Sequence, residues 1–146
     1  MASAADLSAN IQNALKGYLD ELRLAGQHWE RAPVSSGEGE EAWNARQVAE
    51  HIAGAATFFG AGIATALGVP GPERRQPQFA AVADAVAGTE SAHHALLGVV
   101  GGLSEEQIAL EFEAPRFGKT TVANLAGIVA FHLTDHAGQL KKLREG

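Results

Sequence analysis

His132 and His136 stand four residues apart in the chain. A helix turns once in about 3.6 residues, so both imidazoles leave the same face, one above the other. Two neutral imidazole nitrogens so placed can converge on one ion about 2 Å from each. At about 100° per residue, Leu125, Ile128, Val129 and Leu143 point the same way as the pair, and Gln139 joins them one turn later. His51 has the same property in another segment, where Val48, Ala55, Phe58 and Ala66 share its face. A single histidine in an apolar stripe is usually a satisfied core residue. Three histidines on two core-facing stripes fit a metal site: three imidazoles suit Zn, Ni, Cu or Fe(II) and leave a position for water or substrate. Each buried ring left unsatisfied costs about 1–3 kcal/mol. A metal removes that cost for the ligating nitrogens, while neighbouring acceptors must hold the other ring nitrogens.

Other side chains could take part. Gln139 is a candidate to orient a metal-bound water or a ligand histidine. Glu90 and His93 fall near a stripe of Phe79, Val86 and Leu97. If that stripe faces the site, Glu90 is a candidate general base toward a metal-bound water and His93 a pocket residue. Gly88 leaves the helix rotation there open. Trp43 reads as a hydrophobic staple on the following helix or, alternatively, as a substrate platform. Glu50 and Asp135 neighbour candidate ligands in sequence but project away from them, onto faces expected to be solvated. His28 and His94 have no supporting pattern. No Ser-His-Asp arrangement and no Gly-rich phosphate loop argues for another chemistry. The chain has no cysteine. Disulfides, thiolate ligands and a Cys nucleophile are thereby excluded, and any sulfur chemistry must bring its sulfur with a cofactor.

Helical periodicity supplies the elements that must position these residues. The first helix is expected over residues 4–27, where Leu7, Ile11, Ala14, Tyr18, Leu22 and Ala25 build one apolar stripe. A connection rich in Gly, Ser and Glu follows over residues 30–41, with Pro33 and Gly37 as breakers. Asn44 caps the second helix, with Gln47 placed for a capping box. Gly62 lies on the His51 face and would let a neighbouring helix approach. This helix fails near Gly68, where Pro70 and Pro72 follow. The third is expected over residues 77–101. Ser104 and Gln107 form a second capping box on a short turn of helix. Residues 111–119 read as an irregular crossing with room for a brief extended piece. The fourth long helix starts at Thr120 or Thr121 and runs to residue 144. Four amphipathic helices with long connections predict an all-α four-helix bundle, one domain over residues 1–146.

Composition narrows the partners. The 146 residues can bury a continuous core, and 46% hydrophobic content is ordinary for a globular chain. A formal charge of -6, with 11 Lys and Arg scattered among 17 acids, excludes the basic face that nucleic acid needs. Arg74 and Arg75 sit in a proline-rich connection, and Lys141, Lys142 and Arg144 complement a helix C-terminus, so neither cluster requires a ligand. No basic and apolar leader opens the chain, and no run is long enough to span a bilayer. The expectation is a cytoplasmic protein with a small-molecule substrate and neither membrane nor nucleic-acid partner.

The segment Trp43-Asn44-Ala45-Arg46-Gln47-Val48-Ala49-Glu50-His51-Ile52-Ala53 resembles the start of the second helix in DinB/YfiT-like proteins, a Trp followed eight residues later by a ligand His. Thr121-Val122, and then Phe131-His132-Leu133-Thr134-Asp135-His136-Ala137-Gly138-Gln139-Leu140, is similar to the last helix of that family, with its paired His and trailing Gln. The resemblance spans nearly the whole chain. It implies an up-up-down-down bundle, a divalent metal (Zn, Ni or Fe(II)) on His51, His132 and His136, and a homodimer. It also implies thiol-dependent S-transferase or isomerase activity with mycothiol, bacillithiol or glutathione. A metal would lower the pKa of the low-molecular-weight thiol and present a thiolate. Arg46, Arg116 and Lys119 are candidate cations for that thiol's polar groups. Metal-assisted hydrolysis, or a non-catalytic bundle that binds metal or a small molecule, are the alternatives.

Overall fold

The computed structural model describes residues 3–33 and 38–146; Gly37, one of the expected breakers, lies outside the described residues. Helix α1 (Ala4–Arg23) opens on a capping box: the Ser3 hydroxyl accepts from the Asp6 N–H at 3.1 Å, and the Asp6 carboxylate accepts from the Ser3 N–H at 3.0 Å. It stops four residues short of the expected end. A 3-10 turn at Gly26–His28 follows and delivers Trp29 into the core, where its indole N–H donates to the Ala80 carbonyl at 3.2 Å. Helix α2 (Ala45–Leu67) starts on the expected Asn44–Gln47 capping box, with both reciprocal bonds at 2.9 Å. It ends at Gly68, whose φ of 67° is the left-handed conformation glycine tolerates.

Helix α3 (Val82–Val100) begins five residues later than the periodicity suggests. The preceding backbone is committed elsewhere: the Phe79 N–H donates to the Glu50 carboxylate at 2.8 Å, and the Ala80 carbonyl holds Trp29. Phe79 therefore joins the core from outside the helix, and its ring lies on Gly88, where an added Cβ would come within 2.5 Å of it. Gly88 is a seat for that ring. Glu50, expected on a solvated face, anchors this connection instead. After the short α4 (Glu105–Ile108), capped by Ser104, strands β1 (Glu111–Ala114) and β2 (Gly118–Thr121) pair antiparallel, with Glu111 opposite Thr121. The expected irregular crossing is thus a small hairpin. Helix α5 (Val122–Glu145) is capped by the Thr121 hydroxyl, which accepts from Asn124 N–H.

The chain is mostly helical, and its four long helices pack in a ring: α1 against α5 and α3, and α2 against α3 and α5. Specific pairs give their directions. Arg144 reaches Glu21, and Ala126 and Phe131 line a groove with Leu7 and Ala14, so α5 runs parallel to α1. Gly101 lies by Ser8 while Glu90 meets Arg23, so α3 opposes α1. Residues 69–81 run back along α2, with Gly71 against Ala64, Pro72 against Gly60 and Phe79 on Glu50. Helix α3 therefore starts at the same end as α2. Along the chain the helix directions read up, down, down, up, not the up-up-down-down order that the resemblance implies, because that returning connection resets the start of α3.

One contiguous core joins all four long helices, with Ile11, Tyr18, Ile52, Ile63, Leu96, Leu125 and Leu133 fully enclosed. On α2 the deepest stripe is Ile52, Ala56, Phe59 and Ile63; His51, Ala55 and Phe58 border it and are half-buried. This one-residue rotation leaves His51 within reach of α5 and of solvent. The close approach expected at Gly62 occurs at Gly60: a Cβ on Gly62 would meet nothing within 4 Å, whereas one on Gly60 would lie 2.7 Å from Pro72. Among the described residues no helix is long and apolar enough to cross a membrane.

Candidate metal centre

Two helices bring the histidines together. Helix α2 supplies His51 from its second turn, and α5 supplies His132 and His136 from consecutive turns. The Nε2 atoms of His51 and His132 lie 2.9 Å apart, and those of His136 and His132 lie 3.0 Å apart. His136 is 1% exposed, and the other two are half-buried. These three form a group whose nitrogens all fall within 4.8 Å of one another.

The donor set fits a metal better than it fits hydrogen bonding. One ring nitrogen carries either one hydrogen or one lone pair, so His132 Nε2 cannot give a full hydrogen bond to both neighbours. Two nitrogens bound to one tetrahedral ion at about 2.0–2.1 Å stand roughly 3.3 Å apart. Two of the three spacings lie within a few tenths of an ångström of that value, and all three nitrogens fall within 4.8 Å of one another.

The tautomer of His136 is set by its neighbours. Gln139 bridges the ring and the turn preceding α2: its amide Nε2 donates to the Glu40 carbonyl at 2.6 Å, and its Oε1 lies 2.6 Å from His136 Nδ1. A backbone carbonyl only accepts, so the amide nitrogen must face Glu40 and the amide oxygen must face the ring. The imidazole therefore carries its hydrogen on Nδ1 and directs the Nε2 lone pair into the cluster. This is the outer hydrogen bond that metal-ligating histidines need. Gln139→Leu is expected to weaken metal affinity about 10–100-fold with the fold intact, read by competition with a chromophoric chelator; an unchanged affinity would contradict the tautomer argument.

The electrostatics keep His51 and His132 neutral. Burial foremost, then the charges His136, His51 and His93 would carry, pushes the His132 pKa down to about 3. His51 is also lowered, first by burial and then by His136 and Arg116, against an opposing pull from Glu40. Deprotonated imidazoles are the metal-binding form. Trp43 walls the cluster: its ring centroid is 4.8 Å from His51 and 6.4 Å from His136, nearly parallel to the latter at 18°. It packs on the imidazoles, a placement that neither the staple nor the platform anticipated.

Several sequence candidates are not brought here. Glu90 is half exposed and accepts from Arg23 Nη2 at 3.2 Å, on the side of α3 that meets α1. The structure does not bring it to the cluster: the buried face of α3 carries Ala85, Thr89, His93 and Leu96, and Glu90 lies one residue off it. His93 is buried beside the Thr89 carbonyl, 2.8 Å from Nδ1. Arg46 pairs with Glu30 at 3.3 Å and with Glu50 at 3.9 Å, and Lys119 pairs with Glu111 at 3.0 Å. Asp135 is exposed, as expected of a solvated face.

Glu40 was not legible. Its Oε1 lies 3.6 Å from His136 Nε2, making it the carboxylate at the cluster. Its sequence surroundings, Glu38, Gly39 and Glu41 in a Gly- and Glu-rich connection, distinguish none of the three acids. Gly39, at φ 62°, opens the 3-10 turn Gly39–Ala42 that presents it.

On the opposite side, His51 and His132 open onto a cavity of about 460 Å³ whose walls include Phe58, Phe59, Phe117 and Ile128. The site thus has an accessible face. No curated protein and no solved structure matches the chain. The family model of the DinB superfamily matches residues 9–140, a span that holds all three histidines, Gln139 and Glu40. By that match over most of its length, the chain belongs to the DinB superfamily.

Proposed function

We propose that His51, His132 and His136 hold one divalent ion, Zn, Ni or Fe(II), and that the site activates a low-molecular-weight thiol for transfer to, or isomerisation of, a small electrophilic substrate. The observation that carries this reading is the pairing of a three-nitrogen donor set with a cavity reached from His51 and His132. Membership in a metal-associated superfamily supports it. A bound ion would supply Lewis acidity that lowers the thiol's pKa. The chain's residues do the rest. His51 and His132 face the cavity from which the thiol would approach. Gln139 holds the His136 ring in the ligating tautomer. Glu40, across the cluster from the cavity, adds negative charge that favours the cation, and Phe58, Phe59 and Phe117 wall the sulfur's approach.

Glu40 also favours a second reading, metal-assisted hydrolysis, in which the same carboxylate takes a proton from water. Co(II)-substituted protein separates the two. Addition of 2-mercaptoethanol, glutathione or cysteine is expected to produce a sulfur-to-cobalt charge-transfer band that ethylene glycol does not. A spectrum indifferent to every thiol overturns the thiol reading in favour of water. We also propose a homodimer in which exposed Phe131 of α5 is covered by a second copy; sedimentation equilibrium is expected to give twice the chain mass, and a monomer at all concentrations contradicts it.

A further inference from the structure

The far end of the cavity is cationic. Arg74, from the connection that runs back along α2, places its guanidinium carbon 5.0 Å from the centre of the Phe58 ring. Arg116, from the tip of the β1–β2 hairpin, places its own 5.5 Å from the same ring. Segments 42 residues apart in the chain (116 minus 74) thus deliver two like charges to one aromatic side chain.

Among the described residues neither guanidinium has a carboxylate within 4.0 Å; Arg31 also has none but donates to the Leu143 carbonyl, whereas Arg23, Arg46, Arg75 and Arg144 each have at least one. The contrast is informative because acids outnumber bases 17 to 11. In a chain with surplus carboxylates, two adjacent arginines without one mark a place kept open for an anion. The Phe58 ring partly compensates each cation but does not neutralise the pair.

The backbone supports the same conclusion. Arg116 is the only non-glycine residue with positive φ among the described residues, at 72°. Glycine or asparagine takes that conformation more easily. An arginine retained there points to a use for the side chain. Arg116 and His51 line the same cavity.

We propose that this end of the cavity is an oxyanion subsite: Arg74 and Arg116 clamp the carboxylate or phosphate of a small organic ligand whose apolar body lies on Phe58 and Phe117 and whose other end reaches His51 and His132. Guanidinium forks match either oxyanion through paired N–H···O bonds. A cavity of about 460 Å³ holds a small metabolite-sized molecule. Where the ligand's far end meets the histidines, the proposal rests on the metal reading; the anion clamp itself does not.

The test uses 3-phenylpropionate, 2-phenylethylphosphonate and the neutral 3-phenylpropanol, titrated calorimetrically into the metal-free protein. At least one of the two anions is expected to bind about tenfold or more tighter than the alcohol, a preference of one or two charge-assisted bonds. Which anion binds tighter assigns the head group as carboxylate or phosphate. Arg74→Gln and Arg116→Gln should each reduce the preference, and the double variant should erase it. Both side chains are exposed, so these variants keep the fold, checked by circular dichroism. Arg116→Gly should likewise reduce the preference while raising the thermal midpoint, because it removes the positive-φ strain. Equal affinity for anion and alcohol, no saturable anion binding, or a preference that survives the double variant overturns the proposal. Adding 3-mercaptopropionate to Co(II) protein reads the other end independently. A missing charge-transfer band there, with anion binding intact, would count against the metal–thiol reading alone.

Discussion

Replacing His132 and His136 by alanine together is expected to abolish stoichiometric metal binding. The native protein should carry about one divalent ion per chain, because three convergent nitrogens are the minimum that a four-coordinate site with one open position requires. The double variant keeps one ligand, His51, and loses the partner that lies 2.9 Å from it. The loss should also appear in stability. An ion that binds only the folded chain stabilises it by about 2.7 kcal/mol at a free concentration 100-fold above its Kd. For a chain of this size that raises the thermal midpoint by roughly 5–10 °C. Zinc should therefore raise the midpoint of the native protein and leave that of the double variant unchanged. Metal content by plasma emission spectroscopy reads the first effect and differential scanning calorimetry the second. Equal metal in both proteins contradicts the assignment.

Acid should weaken the metal-free protein well before its carboxylates titrate. His51, His93 and His132 all have folded pKa values below the ordinary 6.5, in each case chiefly through burial. The unfolded chain takes up protons on these rings as pH falls below 6.5, while the folded chain refuses them. Stability then falls with falling pH, because the unfolded state binds more protons. The stabilisation is complete above about pH 6.5 and is lost progressively toward the folded value, which for His132 is about 3. The diagnostic window is roughly pH 6.5 to 5, above ordinary carboxylate titration. The thermal midpoint should drop across that window in metal-free protein, and His51→Ala, His132→Ala should flatten the slope. A midpoint that is level or rises with acid there contradicts the buried, neutral state of the rings.

The helices and the pairing of His132 with His136 were legible because both are local, periodic signals. Capping boxes at Asn44 and Ser104 place helix starts within a residue, and the four-residue spacing of His132 and His136 survives any tertiary detail. What misled the reading was backbone committed to distant partners. The Phe79 N–H and Ala80 carbonyl are taken by Glu50 and Trp29, so the start of α3 is set by contacts 29 and 51 residues away. Periodicity carries no trace of such bonds, and Glu90 lies one residue off the buried α3 face of Ala85, Thr89, His93 and Leu96. Glu40 and Arg74 stayed hidden for a related reason. Both come from connections without periodicity, and only the folded chain carries them to the cluster and its cavity. Gln139 was visible as a residue one turn beyond the pair, but its bridge to the Glu40 carbonyl was not.

X-ray absorption at the metal edge of the purified protein tests the central claim most directly. The account predicts a first shell with three imidazole nitrogens at about 2.0–2.1 Å, recognisable by ring multiple scattering, completed by one or two lighter oxygen ligands. A shell with one imidazole or none, or one made of oxygen alone, would contradict it.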